Sequence, residues 1–322
     1  MGWTELKAEV LAGGWCRIEG ALPPGTVARS TAGPGAGGAG AVFFSSGARR
    51  VRIPLGGSGP AAMTVRADGT ATLRCGGETM EGHVEPVGLH CPRQAFVTVS
   101  ESCVYDCVYC PVPKCRGPRK TVEEIVDLVG AVAGSIDAIA LTSGVAVSVE
   151  EEEEYVCRVI AALGSFGLPI GVSIYPTSTT PNRLAALGVI EVKFNIEAAT
   201  PDLFAVFCPG LSYATVWDAL AASVPLFGRA HVFSNVIVGL GETDGELDTC
   251  VDRLVGLGVV PVLRPLNPVA GCRDRARPTV QRLVRAARHL GEALDRAGLD
   301  PSAARSMCGS CTGCDLAAWR DL

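Results

Sequence analysis

Charge and aromatic rings are both scarce in this chain. Lys, Arg, Asp and Glu make up 19% of its 322 residues, and Phe, Trp and Tyr only 6%. The 28 basic residues do not outnumber the 33 acidic ones, leaving a net charge of −5. Nucleic-acid recognition needs clustered Lys and Arg, so no nucleic-acid partner is expected. No apolar run approaches the roughly eighteen residues of a membrane span, so no membrane partner is expected either. The opening Met1-Gly2-Trp3-Thr4-Glu5-Leu6-Lys7 lacks the basic start and apolar core of a secretory signal. Leu6 also spoils a myristoylation pattern, which wants Ser or Thr there. A cytoplasmic protein is the expectation. The run Glu150 to Glu154 reads as a solvated helix start, because acidic side chains favour a helix N-terminus.

What the chain does have is cysteine, fourteen in all. Without a secretory signal, they argue for metal chemistry in a reducing compartment rather than a disulfide framework. Six fall in two tight groups. The other eight, at positions 16, 75, 91, 115, 157, 208, 250 and 272, are expected to be mostly small buried hydrophobes. The first group is Cys103-Val104-Tyr105-Asp106-Cys107-Val108-Tyr109-Cys110. Three thiols spaced C-x3-C-x2-C on one loop can hold three irons of a 4Fe–4S cube. Cubes ordinarily have four thiolates, so one iron here would be left open, as catalytic zinc ions keep an open position. A zinc site completed by Cys115 is the alternative. Context counts against it, because the loop follows a predicted strand and precedes a long alternation of strands and helices. The second group is Cys308-Gly309-Ser310-Cys311-Thr312-Gly313-Cys314. Small residues between these thiols let the chain wrap a cluster, and the spacing is that of the first three ligands of a ferredoxin loop. It predicts an auxiliary iron–sulfur cluster. The fourth ligand is open among Cys272, Cys91, Cys115, Ser306 and substrate, with a zinc knuckle or free thiols as the alternatives.

Three regions are expected. Residues 1–92 are rich in Gly and Pro (Pro23-Pro24-Gly25, Gly33-Pro34-Gly35, Gly37-Gly38) and carry short strand-like runs, including Val42 to Phe44 and Val51 to Leu55. A hairpin is predicted from Met63 to Leu73 around Asp68-Gly69. This is a small β-rich N-terminal module, a lid or packing layer over the open side of the domain that begins near residue 93. Residues 93–300 alternate strand and helix, with strands near 95–99, 137–141, 169–174, 191–196, 231–238 and 259–263. A capping box, Thr121 with Glu124, opens the first helix. Six such units form a parallel sheet of right-handed crossovers, too few for a closed eight-stranded barrel. The fold class is therefore α/β, an open (β/α)6 partial TIM barrel, with working residues at the C-terminal strand ends. Residues 301–322 form a cysteine-rich C-terminal segment.

The C-x3-C-x-aromatic-C pattern, with Tyr109 before the last cysteine, resembles the radical S-adenosylmethionine (radical SAM) superfamily. That resemblance implies that the open iron chelates SAM and that an electron from the cube cleaves it, giving a 5′-deoxyadenosyl radical that abstracts an unactivated hydrogen. Val238-Gly239-Leu240-Gly241-Glu242 is similar to the G-x-G-E turn of the biotin-synthase group, where the preceding strand lines the adenine pocket. Asn195 and Glu197 occupy the polar places of an Asn-x-Asp stretch in the same group; two apart on a strand, they share a face. Ser143 and Gly144 stand where relatives carry a Gly-Gly-Glu-like motif, without its acid. Ser173, with Tyr175 nearby, is a further pocket candidate. Arg264, in the otherwise apolar Pro261-Val262-Leu263-Arg264, needs an anionic partner: SAM, substrate, a second cluster or a plain salt bridge.

The archaeal-type lipoyl synthase-like proteins fit this pattern better than biotin synthase itself. They imply sulfur insertion into a C–H bond, with the auxiliary cluster of Cys308, Cys311 and Cys314 giving up sulfide to a small-molecule or protein-bound acyl substrate. A ferredoxin or flavodoxin would supply electrons. The alternative is a cofactor- or peptide-modifying enzyme (methylation, rearrangement or cross-linking) whose second cluster relays electrons or anchors substrate. A third reading is an electron carrier with two clusters and no SAM chemistry.

Overall fold

The computed structural model describes residues 2–29, 40–56 and 59–322. The run Gly33 to Gly38 lies outside the described residues. The N-terminal part is α1 (Trp3–Gly13), β1 (Cys16–Glu19), β2 (Ala41–Ser46), β3 (Arg49–Pro54), β4 (Ala61–Val65), β5 (Thr70–Cys75) and β6 (Glu78–Val84). Its strands form one sheet in the order β1-β4-β5-β6-β2-β3, parallel only between β1 and β4. The predicted hairpin is β4–β5, with Val65 opposite Ala71 around the Asp68-Gly69 turn. The module also holds a helix that its strand-like composition does not announce: α1 buries Trp3, Leu6, Val10 and Leu11.

The rest runs β7 (His90–Cys91), β8 (Gln94–Thr98), α2 (Val112–Cys115), α3 (Val122–Gly130), β9 (Ala138–Thr142), α4 (Val149–Leu163), β10 (Ile170–Ser173), α5 (Thr180–Ala186), β11 (Glu191–Lys193), α6 (Pro201–Phe207), α7 (Tyr213–Phe227), β12 (Val232–Val238), α8 (Asp244–Leu257), β13 (Val260–Pro265), α9 (Val280–Ala297), α10 (Met307–Cys311) and α11 (Ala318–Asp321). Strands β8 to β13 lie side by side in chain order and all parallel; β7 adds an antiparallel edge. This is the curled, open α/β half-barrel with six strand–helix units, preceded by a strand-rich module. Capping boxes at Thr121 and Thr243 open α3 and α8.

Alternation along the strands sends one set of side chains outward to the helices and one set inward. The outward set is apolar, including Val97, Leu141, Val172 and Val192, all buried. The inward set is polar for a parallel sheet: Thr98 pairs in register with Thr142, which pairs with Ser173, and Lys193 lies opposite Phe233.

The inside is filled from below by the C-terminal residues. Glu191 accepts hydrogen bonds from Arg305 N (2.8 Å), Ser306 N (2.8 Å) and Ser306 Oγ (2.6 Å). Gln94 donates to Met307 O at 3.2 Å. Gly171 leaves room for this segment; a Cβ there would lie 2.1 Å from Ser306 Oγ. The N-terminal sheet packs over the same residues, with Arg52 N donating to Gly313 O at 2.7 Å, and α1 packs on α9. The N-terminal sheet and α1 thus contact the C-terminal segment and α9.

One expectation is corrected. The acidic run at the start of α4 is not simply solvated: Glu152 and Glu153 are only 3% and 2% exposed. Both are paired. Arg119 donates to Glu152 at 2.9 Å, and Arg183 to Glu153 at 2.8 Å. Burial of the two carboxylates depends on those partners.

Candidate active site

The loop after β8 carries Cys103, Cys107 and Cys110, all partly accessible to solvent. Its backbone is tied across the barrel mouth to the strand-end loops after β9 and β13 and to the end of α6. Val104 N donates to Val145 O (2.8 Å), Val108 N to Phe207 O (2.9 Å), and Gly271 N to Val108 O (2.8 Å). Cys110 N donates to Cys107 O at 3.0 Å, closing a tight turn between the last two cysteines. Gly144 permits the closest approach: a Cβ there would lie 2.1 Å from Ser102 O. Cys103 Sγ accepts from Val145 N at 3.4 Å.

The thiols resist ionisation when no metal is bound. Burial raises Cys103, and pushes Cys110 up to about 12. A hydrogen bond that Cys107 donates to the neighbouring Cys208 sulfur, and then burial, push Cys107 well above the thiol range. Only bound cations would discharge such a set, since a coordinating thiol is deprotonated outright. No three His, Cys, Asp or Glu side chains among the described residues converge on a single ion.

Behind the thiols sits Glu197, at the end of β11. Its φ of 55° is in the left-handed region, a conformation that costs a non-glycine residue about 1–3 kcal/mol and collects at functional sites. Two backbone bonds to β12 hold it, Glu197 N to Asn235 O (2.8 Å) and Ile237 N to Glu197 O (2.7 Å). Its carboxyl bonds with Tyr109 and Asn195 and feels Lys193 and Arg264; burial outweighs them and lifts it to about 7. Asn195 Oδ1 also accepts from Asn235 N at 3.2 Å. The Oδ1 atom of Asn235 is buried with no hydrogen-bond partner. That orphaned acceptor, beside Asn195 and Glu197, gives the mouth the polar lining that a nucleoside with a charged amino-acid end requires.

The Gly239–Glu242 turn is pinned by its own carboxylate. Glu242 accepts from Gly239 N (2.6 Å), Gly241 N (3.1 Å) and Arg282 Nη2 (2.9 Å). Gly239 and Gly241 adopt φ of 111° and 124°, which only glycine takes readily. Val238 ends β12 and is buried. Ser143 is engaged locally: its hydroxyl accepts from Ser100 N (2.9 Å) and donates to Glu152 Oε1 (2.5 Å). Ser173 is buried on the inner face at the end of β10. Tyr175 reaches sideways, accepting from Ser212 N at 2.8 Å.

The second thiol group lies inside the barrel. Cys308 Sγ accepts from Lys193 Nζ (3.1 Å) and Arg264 Nη2 (3.0 Å). Arg264 also bonds Cys314. Glu197 therefore stands between the two groups, with Tyr109 on one side and Lys193 and Arg264 on the other. Three participants were not singled out as site residues from sequence: Lys193, Cys208 and Glu152. A lysine midway along a run of buried strand, two residues from Glu191 and two from Asn195, was the available signal for the first.

Residues 97–254 match the family model described as the Radical SAM superfamily, so the chain carries a domain of that superfamily. Solved structures with the same fold include the FeFe-hydrogenase maturase HydG from Carboxydothermus hydrogenoformans (19% identity, 64% of this chain and 56% of that one, TM-score 0.50). Methylornithine synthase PylB is similar at 18% identity (61% of each chain, TM-score 0.51). SuiB of Streptococcus suis, solved bound to S-adenosylmethionine, is similar at 10% identity (65% of this chain and 49% of that one, TM-score 0.53). The chain spans about half the length of several structures it matches. No curated protein sequence matches it. Domains of that superfamily work with a 4Fe–4S cluster, SAM and a reductant. Among the described residues no helix is long and apolar enough to cross a membrane.

Proposed function

We propose that the chain cleaves SAM reductively at Cys103, Cys107 and Cys110 and uses the product to take hydrogen from an unactivated C–H bond. The observation that carries this is the three-thiol loop bridging the barrel mouth over Glu197, Asn195 and the orphaned Asn235 acceptor. When bound, the cube and SAM supply an electron and a 5′-deoxyadenosyl radical. The residues of the chain position and shield. Tyr109 and Asn195 hold the Glu197 carboxyl in place, where it would face the SAM ammonium. The turn at Gly239 and Gly241 would lie against the adenine, and Val238, Ser173, Ser143 and Gly144 would complete the wall. Fourteen free thiols fit a reducing compartment, so we place the protein in the cytoplasm with a ferredoxin or flavodoxin as electron source.

The test is anaerobic incubation with SAM and dithionite, reading 5′-deoxyadenosine and methionine by chromatography. Wild type should form both, and Cys107→Ala should form neither. No product from fully iron-loaded wild type would leave a two-cluster electron carrier as the reading.

For the later fate of the substrate radical, the geometry favours a second metal site that stays intact and relays electrons or anchors substrate. Cys308 and Cys311 are buried, Cys308 is hydrogen-bonded to Lys193 and Arg264, and Arg264 also bonds Cys314. Sulfur insertion, as in lipoyl synthesis, is the second reading, supported by Glu197, which feels both the Cys107 and Cys110 thiols and the Lys193 and Arg264 cations that bond Cys308. Counting sulfide at the second site before and after turnover separates them: loss of sulfide with each product supports insertion.

A further inference from the structure

Cys91 lies on β7, far in sequence from the C-terminal thiols, yet it packs directly on Cys311 in a small buried cluster with Ala28 and Phe43. The two thiols are hydrogen-bonded, and Cys91 feels Cys308 and Cys314 as well. It is only 1% exposed. Two other possible fourth ligands are less well placed: Cys115 is exposed on α2, and Cys272, beyond β13, has Arg275 rather than another thiol as its charged neighbour. Ser306 is committed to Glu191.

The three C-terminal thiols are set by local geometry. Cys308 and Cys311 are three apart on α10 and share a face. Thr312 then takes a left-handed φ of 50°, which turns the chain and brings Cys314 back. Gly309 and Gly313 are required by this fit, since a Cβ at either would lie 2.7 Å from a phenylalanine ring, Phe233 or Phe43 respectively.

The charges around the group are equally specific. Lys193 is 4% exposed, and its ammonium donates to Cys308 Sγ. Arg264 shares that sulfur and reaches Cys314. Arg50 donates to Cys311 O at 3.3 Å. Two buried carboxyls, Glu197 and Asp315, also face these cations, and burying cations costs less the more anion surrounds them. Four thiolates around a cluster core form an anion, which both cations then neutralise.

We propose that Cys91, Cys308, Cys311 and Cys314 form one closed, four-thiolate iron–sulfur site inside the barrel, with Lys193 and Arg264 as its buried counter-ions. The site has no open corner, and so differs in kind from the mouth site. It does not depend on the SAM reading, because it can be assembled without the first three thiols.

The test uses the full chain carrying Cys103→Ala, Cys107→Ala and Cys110→Ala, reconstituted anaerobically with iron and sulfide. We expect about four irons and four sulfides per chain, no zinc, and a reduced-cluster EPR signal. Adding Cys91→Ala should remove at least half the iron, whereas adding Cys272→Ala or Cys115→Ala should remove none. Cys91→Ser, which keeps the volume, should fold as judged by circular dichroism and shift the EPR spectrum, since an oxygen replaces sulfur on one iron. Zinc in place of iron, or iron content and spectrum indifferent to both changes at Cys91, would overturn the proposal. Neither result bears on 5′-deoxyadenosine formation by wild type.

Discussion

Two groups of three cysteines with nearly the same spacing occupy opposite surroundings. Cys103, Cys107 and Cys110 lie on a loop that solvent reaches, facing a carboxylate, a phenol and an amide. Cys308 and Cys311 are 7% and 8% exposed and face an ammonium and a guanidinium. Spacing alone reads as a metal site in both; the surroundings tell the two apart. A loop at the strand ends leaves room for a second molecule beside the cluster. A segment sealed between two sheets does not. Reduction potential follows charge, hydrogen bonds and solvent access, so the cation-lined inner site is expected to hold electrons more readily than the mouth.

That contrast can be broken in steps. The largest effect should come from Cys107→Ala, which abolishes 5′-deoxyadenosine formation while leaving the inner iron in place; chromatography and iron counting read the two halves separately. Next is Gly144→Ala. Its new methyl would press on Ser102 O, and overpacking of this kind costs about 1–3 kcal/mol. Iron at the mouth should fall sharply with the inner iron unchanged. Parallel loss at both sites would mean that the two are assembled as a unit. Glu242→Gln should weaken three bonds to a buried carboxylate and cost about 2–3 kcal/mol in urea unfolding, lowering SAM cleavage with both metals retained. The smallest effect is a pH dependence. With the Glu197 carboxyl lifted from 4.5 to about 7, the folded, metal-free protein keeps a proton that the unfolded chain has lost. Stability should therefore fall as pH rises through that window. Glu197 is flanked by Lys193, Arg264, Tyr109 and Asn195 and feels the Cys107 and Cys110 thiols, so the comparison is Glu197→Gln against wild type. The variant should show a flatter melting-temperature profile between pH 4.5 and 7.

Much of the barrel was legible because its outer faces obey simple periodicity. The strand runs ending at Thr98, Thr142, Ser173 and Val238 stand within a few residues of their expected places. The thiol loop was legible from spacing. Less so were features made by residues distant in sequence. Glu152 and Glu153 look solvated until Arg119 and Arg183 are brought to them. Lys193 reads as a flanking charge until Cys308 arrives from beyond the last helix of the barrel. The segment around α10 has too many Gly, Ser and Cys residues to show a hydrophobic period, so nothing in its pattern announces that it is interior. Cys91 was one of several possible partners, and its packing on Cys311 is visible only in the tertiary structure.

Because Ser306 to Gly313 occupy the floor of the half-barrel, its centre is completed by residues that leave the ribosome after all six strands. Those strands and their helices must wait, partly hollow, for a plug made later. The order of synthesis therefore leaves the interior to be closed last, once β13 and α9 have already been made.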